Sequence, residues 1–362
     1  MIDCDVHQNF RSIHDLLPYM PEVHREHILH GGYHGVTFPE YPWTHPEGFL
    51  RRDAFPPDGG PAGSDYETLR RQLLDEYDVD YAILTGEDIL TASAMASPHL
   101  AAALCSAYND WLLEHWLSRD TRLKGSIAVA TQDAAKAAEE IRRVGGHPDV
   151  VQVLVPSGAR AGYGQPQYHP IYEAAVEMGL VVGVHVGGGG CGTMGAPTAT
   201  GWPIYYLEYH TLMATELMSH LVSLICHGVF ERFPDLRVVL IEGGVAWLPS
   251  LLWRLDQNYK GLRMEVPWVR RLPSEYAREH VRLTTQPLER PDRTKDLRAT
   301  LEAIGPEMLL FATDYPHWDF DNPLYVPFDH EWAEQVFDTN AREWYRLPAL
   351  AKGVAEPTRA QA

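Results

Sequence analysis

Eight short apolar or β-branched runs recur along the chain, and stretches with helical spacing separate them. The runs are MIDCDVH (1–7), VDYAIL (79–84), LKGSIAV (123–129), DVVQVLV (149–155), LVVGVH (180–185), LRVVLIE (236–242), VRLTTQ (281–286) and MLLFATD (308–314). Between them lie segments such as YETLRRQLLDEY, AAKAAEEIRRV, HPIYEAAVEM and TKDLRATLEAI, and WAEQVFDTNAREWYRL closes the pattern. Eight strand–helix units predict an α/β chain folded as a distorted (β/α)8 TIM barrel. An open doubly wound sheet is the competitor. The first run is not followed by a GxGxxG turn, and the unit count fits closure better.

Two segments interrupt the alternation. Residues 8–66 follow strand one and contain Trp43, many prolines and FPPDGGPAGSD. Residues 186–206, VGGGGCGTMGAPTATGWPIYY, follow strand five. Both are long loop insertions at C-terminal strand ends, where barrels of this kind build their sites, so 8–66 reads as a lid and both read as pocket walls. Residues 1–350 are expected to form one domain, with 351–362 a disordered tail.

Composition limits the partners. With 362 residues and a formal net charge of −19, the chain is a poor match for nucleic acid or an anionic membrane. It shows no secretory leader pattern and no apolar run of membrane-spanning length. Cys4, Cys105, Cys191 and Cys226 form no CxxC pair and read as reduced thiols of a cytoplasmic protein.

Polar residues recur where the apolar runs end. Asp5 and His7 close strand one, His185 strand five, Glu242 strand six, Gln286 strand seven and Asp314 strand eight. In a barrel these side chains converge at one mouth. Strict alternation in DCDVH places Asp3 on the same face as Asp5 and His7, either as a partner behind the ligands or bound to a backbone amide. One buried histidine is ordinarily a packing residue. Two histidines and two carboxylates at one end of one barrel make a site for a divalent metal.

These motifs resemble the amidohydrolase superfamily, in the branch typified by aminocarboxymuconate semialdehyde decarboxylase and γ-resorcylate decarboxylase. The resemblance rests on DCDVH (3–7), VHVG (184–187), HGVFERFPDLRVVLIEGG (227–244) with WLPSLLWRLD (247–256), FATDYP (311–316) and TNAREWYRL (339–347). It implies one divalent ion, zinc first and manganese second, held by Asp5, His7, His185 and Asp314, with Asp314 also handling protons. Strand four ends VLVPSG with no lysine to bridge two ions, so the centre is mononuclear. It implies a homodimer acting on a small molecule. Strand six departs from the pattern: the family's decarboxylases carry a catalytic histidine where this chain has Glu242. The favoured reaction is non-oxidative decarboxylation of an aromatic or unsaturated acid, with Glu242 and Asp314 as catalytic candidates. Hydrolysis of an amide, ester or lactone is the alternative, and a ligand-binding barrel without turnover the third reading.

The remaining candidates are expectations of position. His317 and Trp318 follow Asp314 and are expected to wall the pocket with Trp43, Trp202, Arg52 and Gln286. Arg51 and Arg52 read equally well as a surface pair, and Tyr205, Tyr206, Tyr209 and His210 offer further wall residues. His24, His27 and His30 have helical spacing and read as a solvated helix face. His227 reads as a capping histidine on the opposite end of the barrel.

Overall fold

The computed structural model describes residues 1–33, 35–36, 49–328 and 330–349. Eight parallel strands form one sheet in sequence order: β1 (Ile2–Val6), β2 (Tyr81–Leu84), β3 (Leu123–Ala128), β4 (Val150–Pro156), β5 (Val181–His185), β6 (Val238–Ile241), β7 (Val281–Thr284) and β8 (Leu309–Leu310). Helices follow the strands and cover the sheet, as the alternating pattern requires. The helix Ala134–Val144 shows how. Asp133 caps its first turn by accepting from Lys136 N–H, and Ala137, Ala138, Ile141 and Val144 bury one face.

The last strand is shorter than the apolar run 308–314 predicts. Beyond Leu310 the chain closes the barrel through separate bonds: Cys4 N–H to Phe311 O at 2.9 Å, Asp314 N–H to Asp5 O at 3.1 Å, and His7 N–H to Tyr315 O at 2.7 Å. Asp3 takes over part of the missing ladder. Its carboxylate accepts the Thr313 N–H at 3.0 Å and the Thr313 hydroxyl at 2.5 Å. Burial outweighs these bonds and pushes the Asp3 carboxyl up to about 7.

Asp3 does not share a face with Asp5 and His7. The register of β1 against β2 shifts between Asp3 and Val6. Ile2 and Cys4 pack in the barrel interior with Tyr81, Ile83 and Leu310, whereas Val6 packs outside with Ala82 and Leu84. The shift works as a bulge and reverses the alternation. It aims Asp5 and His7 into the mouth and leaves Asp3 at the seam, bound to a backbone amide.

The interior is filled, as in other closed barrels of this size. At its N-terminal end Trp344 and Tyr345 join the interior cluster, and the Tyr345 hydroxyl donates to Gln152 Oε1 at 2.8 Å. Gly183 on β5 makes room for Gln152, since a Cβ there would lie 2.6 Å from the Gln152 amide carbon. Trp43 and the tail 351–362 lie outside the described residues.

Candidate active site and metal centre

The C-terminal ends of β1 and β5 bring Asp5, His7 and His185 together. Two backbone turns add carboxylates to them. Glu242, directly beyond β6, and Asp314, four residues beyond β8, both adopt positive φ, 61° and 60°. Non-glycine residues pay for such conformations, and these are held by their surroundings: Glu242 N–H donates to Thr284 Oγ1 at 2.9 Å, and Asp314 N–H is tied to β1.

The donor atoms are spaced like the edges of one coordination shell. His7 Nε2 lies 3.6 Å from Asp5 Oδ1 and 3.1 Å from Asp314 Oδ1. His185 Nε2 lies 3.4 Å from Asp5 Oδ1 and 3.4 Å from Glu242 Oε2. Ligands bound at roughly 2.0–2.2 Å around one ion stand about this far apart. His7 Nε2, His185 Nε2 and Asp5 Oδ2 are buried and have no hydrogen-bond partner. The opposite ring nitrogens are fixed: His185 Nδ1 lies 2.6 Å from Val186 O, and His7 Nδ1 contacts Gly86 O. Each imidazole thus presents a bare Nε2 to a common point, and the residues fit a divalent cation.

The grouping differs in one respect from the expected ligand set. Glu242 falls in one cluster with Asp5, His7 and His185, while Asp314 clusters with His7 and His317. Asp314 is further committed, with Oδ1 2.7 Å from His317 Nδ1 and Oδ2 accepting from Gln286 Nε2 at 3.0 Å.

Burial and charge set the protonation of these groups. Burial pushes Asp5 up, but His185 and His7 outweigh it and hold its carboxyl at about 2. Glu242 goes the other way: burial and the carboxylates of Asp314 and Asp5 raise it well above the ordinary value. Burial works to lower His317, but Asp314 and Glu87 outweigh it and raise the ring to about 9.

A cavity of about 610 Å³ opens over this centre. His7, His185, Glu242 and His317 form its floor side, and Phe10, Tyr33, Phe49, Tyr206 and Tyr209 add aromatic wall. Both insertions contribute, 8–66 through Phe10, Tyr33 and Phe49, and 186–206 through Gly187 and Tyr206. Gln286 is fully buried beneath, bonded to Asp314. Three expected wall residues lie elsewhere. Arg52 is exposed, in the short turn Arg52–Ala54, and is absent from the lining. Trp318 and Trp202 are 48% and 58% exposed and do not line the cavity, although the Trp318 ring flanks His210 at 5.6 Å. His227 caps the helix Ala214–Cys226, and His30 pairs with Glu26 on an exposed helix face.

The strand-end pattern missed Glu87. Its Oε2 lies 3.1 Å from His7 Nδ1 and 3.6 Å from His317 Nε2. Burial works against ionisation, but His317 and His7 outweigh it and hold Glu87 at about 2. The signal was present: TGED directly follows the β2 run, just as polar residues follow the other strands.

A closed parallel barrel with a histidine–carboxylate centre at its C-terminal mouth defines a metal-dependent barrel enzyme. The chain belongs to the Amidohydrolase family, whose sequence model matches residues 2–347. It is 28% identical over 271 residues to a γ-resorcylate decarboxylase of Rhodococcus jostii, covering 71% of this chain and 78% of that one. The fold matches a dihydroxybenzoic acid decarboxylase of Polaromonas sp. JS666, solved with manganese and the inhibitor 2-nitroresorcinol, with TM-score 0.68 and 21% identity over 96% of both chains. It also matches 5-carboxyvanillate decarboxylase from Sphingomonas paucimobilis, with TM-score 0.66 and 23% identity over 96% of this chain and 99% of that one.

Proposed function

We propose that the protein is a metal-dependent decarboxylase of a hydroxylated aromatic carboxylic acid. The observation that carries this reading is the set of bare, buried donor atoms of His7, His185 and Asp5 facing a cavity with aromatic walls. The similarity to γ-resorcylate decarboxylases supports the choice of reaction.

Asp5, His7, His185 and Asp314 would hold the ion, with Glu242 beside it. When bound, the ion neutralises the substrate carboxylate and a neighbouring oxygen and draws electron density from the ring. Mixed carboxylate and imidazole donors suit zinc or manganese, and the similar dihydroxybenzoic acid decarboxylase of Polaromonas was solved with manganese. The chain's own residues do the rest. Glu87 and Gly86 fix the His7 ring, and Val186 O fixes His185. Tyr33, Phe49 and Tyr206 offer faces against which an aromatic ring packs. The carbon that loses CO2 must gain a proton, and Glu242, at the cavity floor, is positioned to give it. Asp314, tied to His317, is the second proton carrier.

The four cysteines are free thiols, which supports a reducing cytoplasm. Exposed Trp202, Ile204 and Leu207 support association with a second copy.

The test is CO2 release from a panel of hydroxybenzoates by manganese- and zinc-loaded protein, with amides, esters and lactones as the hydrolytic comparison. His185→Ala is expected to lose most bound metal by elemental analysis and all turnover. Unchanged metal stoichiometry in that variant would remove His185 from the centre, and hydrolysis without CO2 release would replace the reaction.

A further inference from the structure

The cavity has a second polar feature away from the ion. Asp319 and His210 both line it, one from the segment after β8 and one from the helix Tyr206–Leu212. His210 Nε2 lies 3.3 Å from Asp319 Oδ2, and Gln286 Nε2 donates to the same oxygen at 3.1 Å. The same Gln286 nitrogen bonds Asp314 Oδ2 at 3.0 Å. Asp314 and Asp319 are thus tied to one amide, about a benzene ring's span apart at most.

This places a fixed carboxylate within about one ring's width of Asp314 at the metal centre. Burial works to raise the Asp319 carboxyl, but the bond and charge of His210, with His317 beyond, outweigh it and hold it below the ordinary value. The group is therefore an anion that accepts hydrogen bonds. Its neighbours along the lining, Asp88 and Glu87, are acidic as well. Among the described lining residues Arg11 is the only arginine or lysine, and its guanidinium is paired with Asp58 at 2.9 Å. A second carboxylate on the substrate would meet repulsion at this end, and an ether oxygen would leave Asp319 facing a lone pair. A hydroxyl would donate to it. The Tyr206 ring, 5.4 Å from His210 and 4.9 Å from Phe49, offers a ring face beside it.

We propose that Asp319 is the specificity-determining residue of this site and selects acids whose ring carries a free hydroxyl at the end remote from the ion. His210 is the positioning residue that holds the Asp319 carboxylate in place. The proposal rests on the decarboxylase reading above and names the substrate class within it: polyhydroxylated aromatic monoacids, not their methyl ethers or diacids.

The experiment is calorimetric titration of the manganese-loaded protein with the dihydroxybenzoate isomers that share a 2-hydroxyl, and with the corresponding methyl ethers at the other hydroxyl. At least one isomer is expected to bind roughly 10- to 150-fold more tightly than its ether, the worth of one hydrogen bond to a charged group. Asp319→Asn is expected to bring the pair within about threefold, with manganese content unchanged. His210→Phe keeps the ring packing and removes the N–H. It is expected to shrink the preference in part, and it decides the matter should Asp319→Asn fail to fold. Wild-type preference retained in a folded Asp319→Asn, or an ether bound as tightly as its phenol by the wild type, overturns the proposal. CO2 release without any hydroxyl preference sinks Asp319 alone. Hydroxyl preference without CO2 release leaves Asp319 in place and sinks the decarboxylase reading, and no binding of any benzoate sinks both.

Discussion

Replacing Glu216 by glutamine is expected to stabilise the protein in a pH-dependent way. Glu216 lies on the helix Ala214–Cys226, behind the glycine-rich wall of the site, where its carboxyl contacts the Ser157 hydroxyl. Burial pushes it from 4.5 up to about 7, with the Ser157 bond opposing. The folded state therefore holds this proton more tightly than the unfolded chain does. The stability it contributes is fully present below about 4.5, is lost as the pH rises, and is gone above about 7. At about 1.4 kcal/mol for each pH unit across that window, the loss reaches about 3 kcal/mol. Glutamine mimics the protonated acid at all pH values. The variant should match the wild type near pH 4.5 and exceed it by about 3 kcal/mol at pH 8. Urea unfolding of metal-free protein at several pH values measures this. Neighbours that titrate in the same range, such as His220, which burial lowers to about 4, are present in both proteins and cancel in the difference. A stability gap that does not change with pH would refute the reasoning.

Two further outcomes follow from the geometry. Glu242→Gln is expected to lower turnover by roughly 10²–10⁴ with metal retained, as for loss of a general acid; loss of metal with the activity would make Glu242 a ligand, and a near-normal rate would leave Asp314 as the proton carrier. Gly158→Ala would place a Cβ 2.2 Å from the carbonyl carbon of Gly188, so it should displace the glycine-rich wall, cost about 1–3 kcal/mol in thermal or urea unfolding, and weaken substrate binding; an unchanged KM would mean that this wall does not shape the pocket.

The barrel was legible because each strand is a short apolar run that ends in a polar residue. That regularity also located Asp5, His7, His185, Glu242, Gln286 and Asp314 at one mouth. What escaped the sequence is whatever a single residue of register decides. DCDVH reads as strict alternation, and nothing in its letters marks the shift that sends Asp3 to the seam. Arg52 read either as reaching in from the insertion or as a surface residue, and a short turn carries it outward; Trp318, expected in the pocket because it follows Asp314, packs beside His210 instead. Asp319 comes from an irregular segment whose direction no periodicity predicts, although the strand-end rule could have found Glu87.

An acidic protein that binds acids needs a reason for the attraction. The net charge of −19 opposes an incoming anion. So does the cavity, where Glu87, Asp88 and Asp319 contribute to the lining and Arg11 is already paired with Asp58. Among the described lining residues, the histidines are the only other basic side chains, and each lies close to at least one carboxylate. A substrate carboxylate therefore has no strong partner until a divalent ion occupies the point faced by His7 and His185. Under the proposed function the ion would supply binding as well as chemistry, and the metal would bind before the substrate. The acidic remainder of the wall then acts by exclusion. It admits one carboxylate, at the ion, and rewards hydrogen-bond donors everywhere else, which is the pattern of a polyhydroxylated monoacid.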